Sequence, residues 1–443
     1  MEKKTVVVLG AGFAGVAVFQ ELRRLFTAEE CEIVVIDENN FSLYTPMLTE
    51  AAGGEVDAAD IVAPIRALTG VDVRYEQAKV QAIDVEHGLV TVIMGNEEAG
   101  IPRDSKEILY DHLVVCVGSI TNFHHIPGLK DHALRAKTVS DAIEIRNRSL
   151  AVVERAGEEK DPEKRKALLT FVVGGGGFSG IETIAAVNGM VRERVTKGNG
   201  GVREQEIAMK VVQPGGRILP EISESLASYT QQELNARGIE VMLDTEVIGA
   251  GEDWVEVKGK HDEKGHKIPA RTLIWAGGVT PSPVIDTAKL KRGKHGGIVV
   301  DSTCAVSGHT NIWSLGDCAE IPIPGKNGKT YAPTAQNASR EGKLVAHNIH
   351  AALTGGQAEP FVYKPIGELA IIGKRTGVAE IYGFRFKGVV AWILWRAVYL
   401  AKLPRMAQRL KVVLDWSLDA IFGHEIAEVP GRRGETMSTE RSA

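Results

Sequence analysis

The chain has 443 residues, 44% of them hydrophobic and 25% charged, and a formal net charge of −5. That length predicts two or three domains, and the composition excludes a collagen, a coiled-coil rod and a globally disordered chain. The charge makes no whole-chain case for nucleic acid, and four cysteines without a CxxC pair encode neither a zinc ribbon nor a thioredoxin-type redox pair.

Residues 4–37 read as strand, glycine-rich turn, helix, strand. Thr5–Leu9 is a short apolar, β-branched run, so MEKKTVVVLGAG is read as a first strand and not as an export segment. Gly10-Ala-Gly-Phe-Ala-Gly15 follows, then a helix to about Phe26, then a second strand, Ile33–Ile36, ending at Asp37. This is the GxGxxG turn in its proper context, with an acid 22 residues after Gly15. Gly10 allows the tight turn, Gly12 lets the backbone approach a pyrophosphate, and Gly15 lets helix and strand pack closely. The helix N-terminus offers free N–H groups to the phosphates, and Asp37 is placed to accept hydrogen bonds from ribose hydroxyls.

The same unit recurs over 168–213, 165 residues further on. Leu169–Val173 is its strand, Gly175-Gly-Gly-Phe-Ser-Gly180 its turn, Ile181–Val195 its helix and Met209–Val212 its next strand. Gly175, Gly177 and Gly180 take the three glycine roles, while the acid is replaced by Gln213. Glutamine binds ribose hydroxyls without repelling a 2′-phosphate, so NADH is the default and NADPH is credible. Gly174 is unusual, because a strand end normally carries a β-branched residue. Leu113–Gly118 and Leu273–Gly278 read as buried strands ending in glycine, and Ala156–Lys166 as a solvated hinge or helix end. Asn311–Glu320, NIWSLGDCAE, is a strand ending in Gly-Asp at a helix start, which can set Asp317 against the ribityl chain of FAD. Two dinucleotide turns in one chain suggest a tightly held flavin and a diffusible nicotinamide.

With both glycine turns and the late Gly-Asp in order, the chain resembles the two-dinucleotide-binding-domain flavoproteins, and within them the type II NADH:quinone oxidoreductases. Phe41–Gly53, FSLYTPMLTEAAG, resembles the segment laid beside the flavin ring in that family, which implies Pro46 and Met47 near the isoalloxazine. Gly180-Ile-Glu182 matches a glycine followed by a glutamate near the nicotinamide and flavin. Ala332–Gly342, APTAQNASREG, resembles the quinone-site motif AQxAxQ through Ala335 and Gln336, with Arg340 where a second glutamine is often found. Lys374 stands at a position that is typically basic. The resemblance implies an α/β fold with two Rossmann-like domains for FAD and NAD(P)H, and a C-terminal amphipathic helical segment that anchors to membrane. The flavin domain is expected from 1–145 and 285–360, the nicotinamide domain from 146–284 inserted between, and a small sheet with membrane-associated helices from 361–443. Val80, Gly118, Asp317 and Ala335 join the first glycine turn and Asp37 as flavin-nucleotide candidates; Gly277 joins Gln213 for the nicotinamide nucleotide. Glu182, Gln336 and Pro46 are the candidates for the chemistry, and burial of Glu182 would make it a proton handler.

Residues 361–383 alternate like a small β-sheet. Residues 384–414 then hold seven Lys or Arg and no Asp or Glu, with Trp392 and Trp395 on a broad apolar surface that Arg396 interrupts and Pro404 breaks. This is the composition of helices lying in a membrane interface and not spanning it. From Gly423 the tail is expected to fray. The expected protein is a peripheral enzyme at the cytoplasmic face of the cell membrane, with quinone and lipid as partners, a homodimer compatible, and no nucleic acid. His124-His125 is read as a loop, and no metal site is expected, since twelve histidines include no HxH or HExxH. Rival readings are a sulfide:quinone oxidoreductase, a soluble reductase with a non-quinone acceptor, and a non-catalytic flavin-binding redox sensor.

Overall fold

The computed structural model describes residues 3–96, 100–197, 201–326 and 328–423. The chain is α/β and divides into two units, each assembled from separate stretches of sequence. The first comprises 1–43, 62–122 and 279–365; the second comprises 44–61, 123–278 and 366–443.

In the first unit five parallel strands stand in the order Ile312–Ser314, His112–Val115, Lys4–Leu9, Cys31–Asp37, Val73–Gln77. Val6 to Leu9 are wholly buried, as a central parallel strand requires with helices on both sheet faces. The helix Phe13–Leu25 leaves the first glycine turn and packs on the helix Ala335–Thr354. Close approach is possible because position 342 is glycine: a Cβ there would lie 2.5 Å from the Ala14 carbonyl oxygen. A three-stranded antiparallel sheet, Lys79–Asp84, Leu89–Asn96 and Ile101–Leu109, completes this unit's larger elements.

The second unit repeats the plan. Its parallel strands run Ala133–Arg135, Thr272–Trp275, Thr170–Gly174, Ala208–Val212, Ile239–Met242. The helix Phe178–Thr196 follows the second glycine turn and begins three residues earlier than the apolar pattern suggests, because Phe178 and Ser179 already complete its first turn. Ala156–Lys166 is a helix end and a helix start: Val139–Glu158 stops, and Asp161 caps Pro162–Leu168 by accepting from the N–H groups of Glu163 and Lys164. The small sheet begins later than its sequence pattern, with strands Gly367–Ile371, Gly377–Ile381 and Phe384–Gly388. Phe361 is buried against Tyr331 in the first unit and takes no part in that sheet. Two helices follow, Val389–Lys402 and Met406–Phe422, separated at Pro404 as expected. All of the tail beyond Gly423 lies outside the described residues.

Candidate active site

The first glycine turn shows which of its glycines the fold needs. Gly10 has φ +100°, and a Cβ on Gly15 would overlap the Gly10 carbonyl oxygen. A Cβ on Gly12 would meet nothing within 4 Å. Two glycines are therefore fixed by backbone packing, and the middle one borders open space at the start of a helix. Asp37 is held at its strand end: one oxygen accepts from Ala11 N–H at 2.7 Å, the other from Asn39 N–H at 2.8 Å. Ala78 N–H donates to the Asp37 carbonyl at 2.9 Å, which brings the chain leading to Val80 alongside.

Asp317 belongs to the same unit. Ser119 Oγ donates to its carboxylate at 2.6 Å, next to Gly118, which has φ +68° and open space where a Cβ would be. The preceding Gly316 N–H donates at 2.9 Å to Glu341, a carboxyl pushed up to about 7, chiefly by burial. Ser119 and Glu341 are positioning residues that sequence reading did not single out. Ala335 opens its helix behind Thr334, whose side chain accepts from Asn337 N–H. Gln336 Oε1 accepts from the Tyr363 hydroxyl at 2.9 Å, and the Arg340 guanidinium lies 4.2 Å over the Tyr363 ring. Arg340 thus stands as a brace on the tyrosine that orients Gln336, which gives the departure from the second glutamine a physical role.

The second turn reproduces the first. Gly175 has φ +115°, a Cβ on Gly180 would overlap the Gly175 carbonyl, and one on Gly177 would meet nothing within 4 Å. Gln213 Oε1 accepts from Gly176 N–H at 2.8 Å, the backbone bond that Asp37 makes in the first copy. Gly174 is explained by Trp275: the indole lies over it and over Gly277, so any side chain at either position would displace the ring. His124 Nε2 lies 3.0 Å from the Gly277 carbonyl, and its ring meets Trp275 edge-on. These groups line a cavity of about 750 Å³ together with Gln213, Glu221 and Glu246. The cavity is large enough for a dinucleotide half.

Glu182 sits on the first turn of the helix Phe178–Thr196. Its carboxyl accepts from Ile371 N–H at 3.0 Å and faces the Trp395 indole N–H. Burial nevertheless raises it to about 8, so the group holds a proton at neutral pH. Pro46 lies in the short turn Thr45–Met47, which leads into the helix Leu48–Gly53. That helix packs on the Glu182 helix, with Gly53 against Ala186. Lys374 is exposed, and its carbonyl accepts from Arg237.

All four cysteines are free and buried. Burial pushes the Cys318 thiol up to about 11 and Cys116 well above its usual value, so both are held as inert thiols. Among the described residues no group of three or more His, Cys, Asp or Glu side chains is placed to hold a metal.

Known proteins agree with this geometry. The pyridine nucleotide-disulphide oxidoreductase family matches residues 4–342, and the NDH2 C-terminal domain matches 366–425. A probable NADH dehydrogenase of Dictyostelium discoideum is 30% identical over 433 residues, covering 96% of this chain and 92% of its own. A type II NADH:quinone oxidoreductase of Staphylococcus aureus is 29% identical over 405 residues, covering 90% of this chain and 94% of its own. The structure of NDH2 from Plasmodium falciparum in complex with NADH superposes with a TM-score of 0.88 at 20% identity, covering 96% of this chain and 99% of that one. With its two glycine cradles and its C-terminal helices, the chain belongs to the pyridine nucleotide-disulphide oxidoreductase family and carries that family's NDH2 C-terminal domain.

Proposed function

We propose that this chain is a non-proton-pumping NADH:quinone oxidoreductase that works at a membrane surface. The observation that carries the reading is the pair of glycine cradles, each with its middle glycine bare, followed by an NDH2 C-terminal domain. Bound FAD supplies the step the protein cannot make, taking a hydride from NADH and passing two electrons to a quinone. The first cradle, Asp37 and Asp317 would hold FAD, with Val80, Gly118 and Ala335 beside its nucleotide and ring. The second cradle, Gln213 and Gly277 would hold the nicotinamide nucleotide. From the resemblance, Pro46 of the second unit would serve the flavin ring and Glu182 of the same unit would hold a proton, and Gln336 of the first unit would serve the quinone.

NADH is the donor. The nucleotide cavity has two carboxylates, Glu221 and Glu246, and no lysine or arginine in its described lining, so a 2′-phosphate would meet repulsion with no counter-ion. The test is a paired assay on purified protein. NADH should bleach the bound flavin and a short-chain quinone restore it, with NADPH at least about tenfold less efficient in kcat/KM, a difference of about 1.4 kcal/mol. Slow reoxidation by quinone beside rapid reoxidation by another acceptor would favour a soluble reductase. Flavin bound without turnover would favour a sensor. A sulfide-relaying mechanism needs reactive thiols, and the four cysteines are buried.

Membrane docking rests on the last two helices. Val390, Ile393, Leu410, Leu414, Leu418 and Phe422 are exposed, and no helix among the described residues is long and apolar enough to cross a bilayer. Such a face lies in the interface plane, and the neighbouring cations favour anionic head groups. The cytoplasmic leaflet, where the NADH pool lies, is the proposed location, and a second copy of the chain could share part of the same face. Deleting these helices is a poor test, because Trp395 is buried against Glu182 and its loss would open the interior. Ile393→Glu combined with Leu414→Glu changes only exposed positions. The double variant should fold normally, lose at least about tenfold in binding to anionic vesicles, and keep flavin reduction by NADH. Unchanged vesicle binding would remove the anchor from these helices.

A further inference from the structure

Reducing a quinone with NADH takes up one proton besides the hydride, and Glu182, a buried acid that would give it, must be refilled from solvent after each turnover. A second carboxyl lies inside the same unit. Glu50, on the helix Leu48–Gly53, is only 3% exposed, and neither carboxyl oxygen has a well-formed hydrogen bond among the described residues. Four groups face it. Arg396 from the helix Val389–Lys402 comes within 3.7 Å, and Glu55 takes the same guanidinium at 3.2 Å. Trp416 from the last helix presents its indole N–H, and Glu182 contributes its charge from the helix Phe178–Thr196. The guanidinium is itself clamped between two indoles, 4.1 Å over Trp392 and 4.4 Å over Trp416.

Two carboxyls therefore share one cation, and the more buried of the two has the poorer contact with it. Buried polar atoms left without partners call for a proton or a water. The surroundings favour the proton: burial and the Glu55 charge both raise Glu50, with Arg396 opposing them. The packing connects it to Glu182. Gly53 touches Ala186, Glu50 lies one turn before Gly53, and Glu182 one turn before Ala186, so both acids lie one helical turn from the same helix contact. Glu55, with its side chain 14% exposed, lies on the solvent side.

We propose that Glu50 is the proton relay behind Glu182, refilling it from solvent through Glu55, with Arg396 as the counter-ion that Glu50 and Glu55 share. The balance is simple. NADH, one proton and a quinone give NAD+ and quinol, so the hydride of NADH supplies two electrons and one hydrogen by way of bound FAD; the single further proton leaves Glu182 for the quinone, Glu50 re-protonates Glu182, and water at Glu55 restores Glu50. Glu50 touches no substrate and is a positioning and relay residue. The proposal rests on the quinone reading, and its test separates the two.

The wild type, E50Q and E55Q are compared with a quinone analogue and with ferricyanide, which takes electrons and no proton. A wild type that reduces ferricyanide but not quinone would defeat the functional reading itself. If that reading stands, E50Q should keep ferricyanide turnover within about twofold while quinone kcat falls about tenfold. The alkaline limb of its quinone pH profile should move, and E55Q should show the same split at smaller amplitude, about threefold. E55Q leaves the interior carboxyl in place, so the result does not depend on E50Q folding. A readout without turnover is the infrared band of a neutral carboxyl in flavin-free protein at neutral pH, which E50Q should diminish. Equal losses with both acceptors would mean a purely structural role. Unchanged quinone kcat and pH profile in both variants would overturn the relay.

Discussion

Gly15→Ala is expected to purify with flavin occupancy reduced at least about tenfold, whereas Gly180→Ala should remain yellow and no longer be bleached by NADH. Both follow from the same clash. A Cβ at either position would overlap the carbonyl oxygen of the first glycine of its turn, and neither partner is a flexible side chain that can swing away. Overpacking of this kind costs about 1–3 kcal/mol and moves backbone, here the backbone that would present N–H groups to a pyrophosphate. Gly12→Ala is the control. Its Cβ would meet nothing within 4 Å, so the thermal midpoint should stay near wild type while flavin affinity falls, because the methyl would occupy the space proposed for the phosphates. Absorbance of bound flavin, flavin reduction by NADH and the melting temperature separate the three variants. A yellow Gly15→Ala, or a Gly180→Ala reduced at the wild-type rate, would dissociate the cradles from the cofactors assigned to them.

Both glycine turns were legible in the sequence because their requirements are local: two glycines forced by backbone packing, a strand before and a helix after. Asp37 was legible for the same reason, since a fixed number of residues separates it from the turn. Gln213 was legible as a departure, but not as the group that replaces the carboxylate's bond to the turn, since that depends on which end of the amide faces Gly176. Gly174 looked anomalous until Trp275, about a hundred residues later, was seen lying across it. The partners that hold the site were not legible. Ser119 and Asp317 are 198 residues apart, and Gln336 and Tyr363 are 27 apart with no shared motif. Arg396 shows the limit most clearly. Composition makes it one of seven cations on a basic, aromatic segment, an interruption of an apolar stripe. In the fold it turns inward between two tryptophans to meet Glu55, a residue 341 positions earlier.

Glu182→Gln should flatten the pH dependence of stability on the alkaline side and make the variant more stable than the wild type above pH 8. The folded carboxyl titrates at about 8, against an ordinary value of 4.5. Between those values the folded chain binds more protons than the unfolded chain, so wild-type stability falls as pH rises through that window. Below about pH 4.5 the carboxyl is neutral in both states, and the two proteins should differ little. Above pH 8 the wild type must bury a carboxylate that has only the Ile371 N–H and the Trp395 indole to compensate it, while the glutamine buries a neutral amide. The difference should grow by roughly 2–4 kcal/mol across the window, read as diverging chemical-denaturation midpoints. Glu341 is raised in the same direction and tilts both curves alike, so it cancels in the difference, whereas Glu50 is raised in part by the Glu182 charge and adds its own change to it. Parallel curves would show that the carboxyl is ionised in the folded chain. It would then hold no proton at neutral pH, and the proton that quinone reduction needs would have to come from elsewhere.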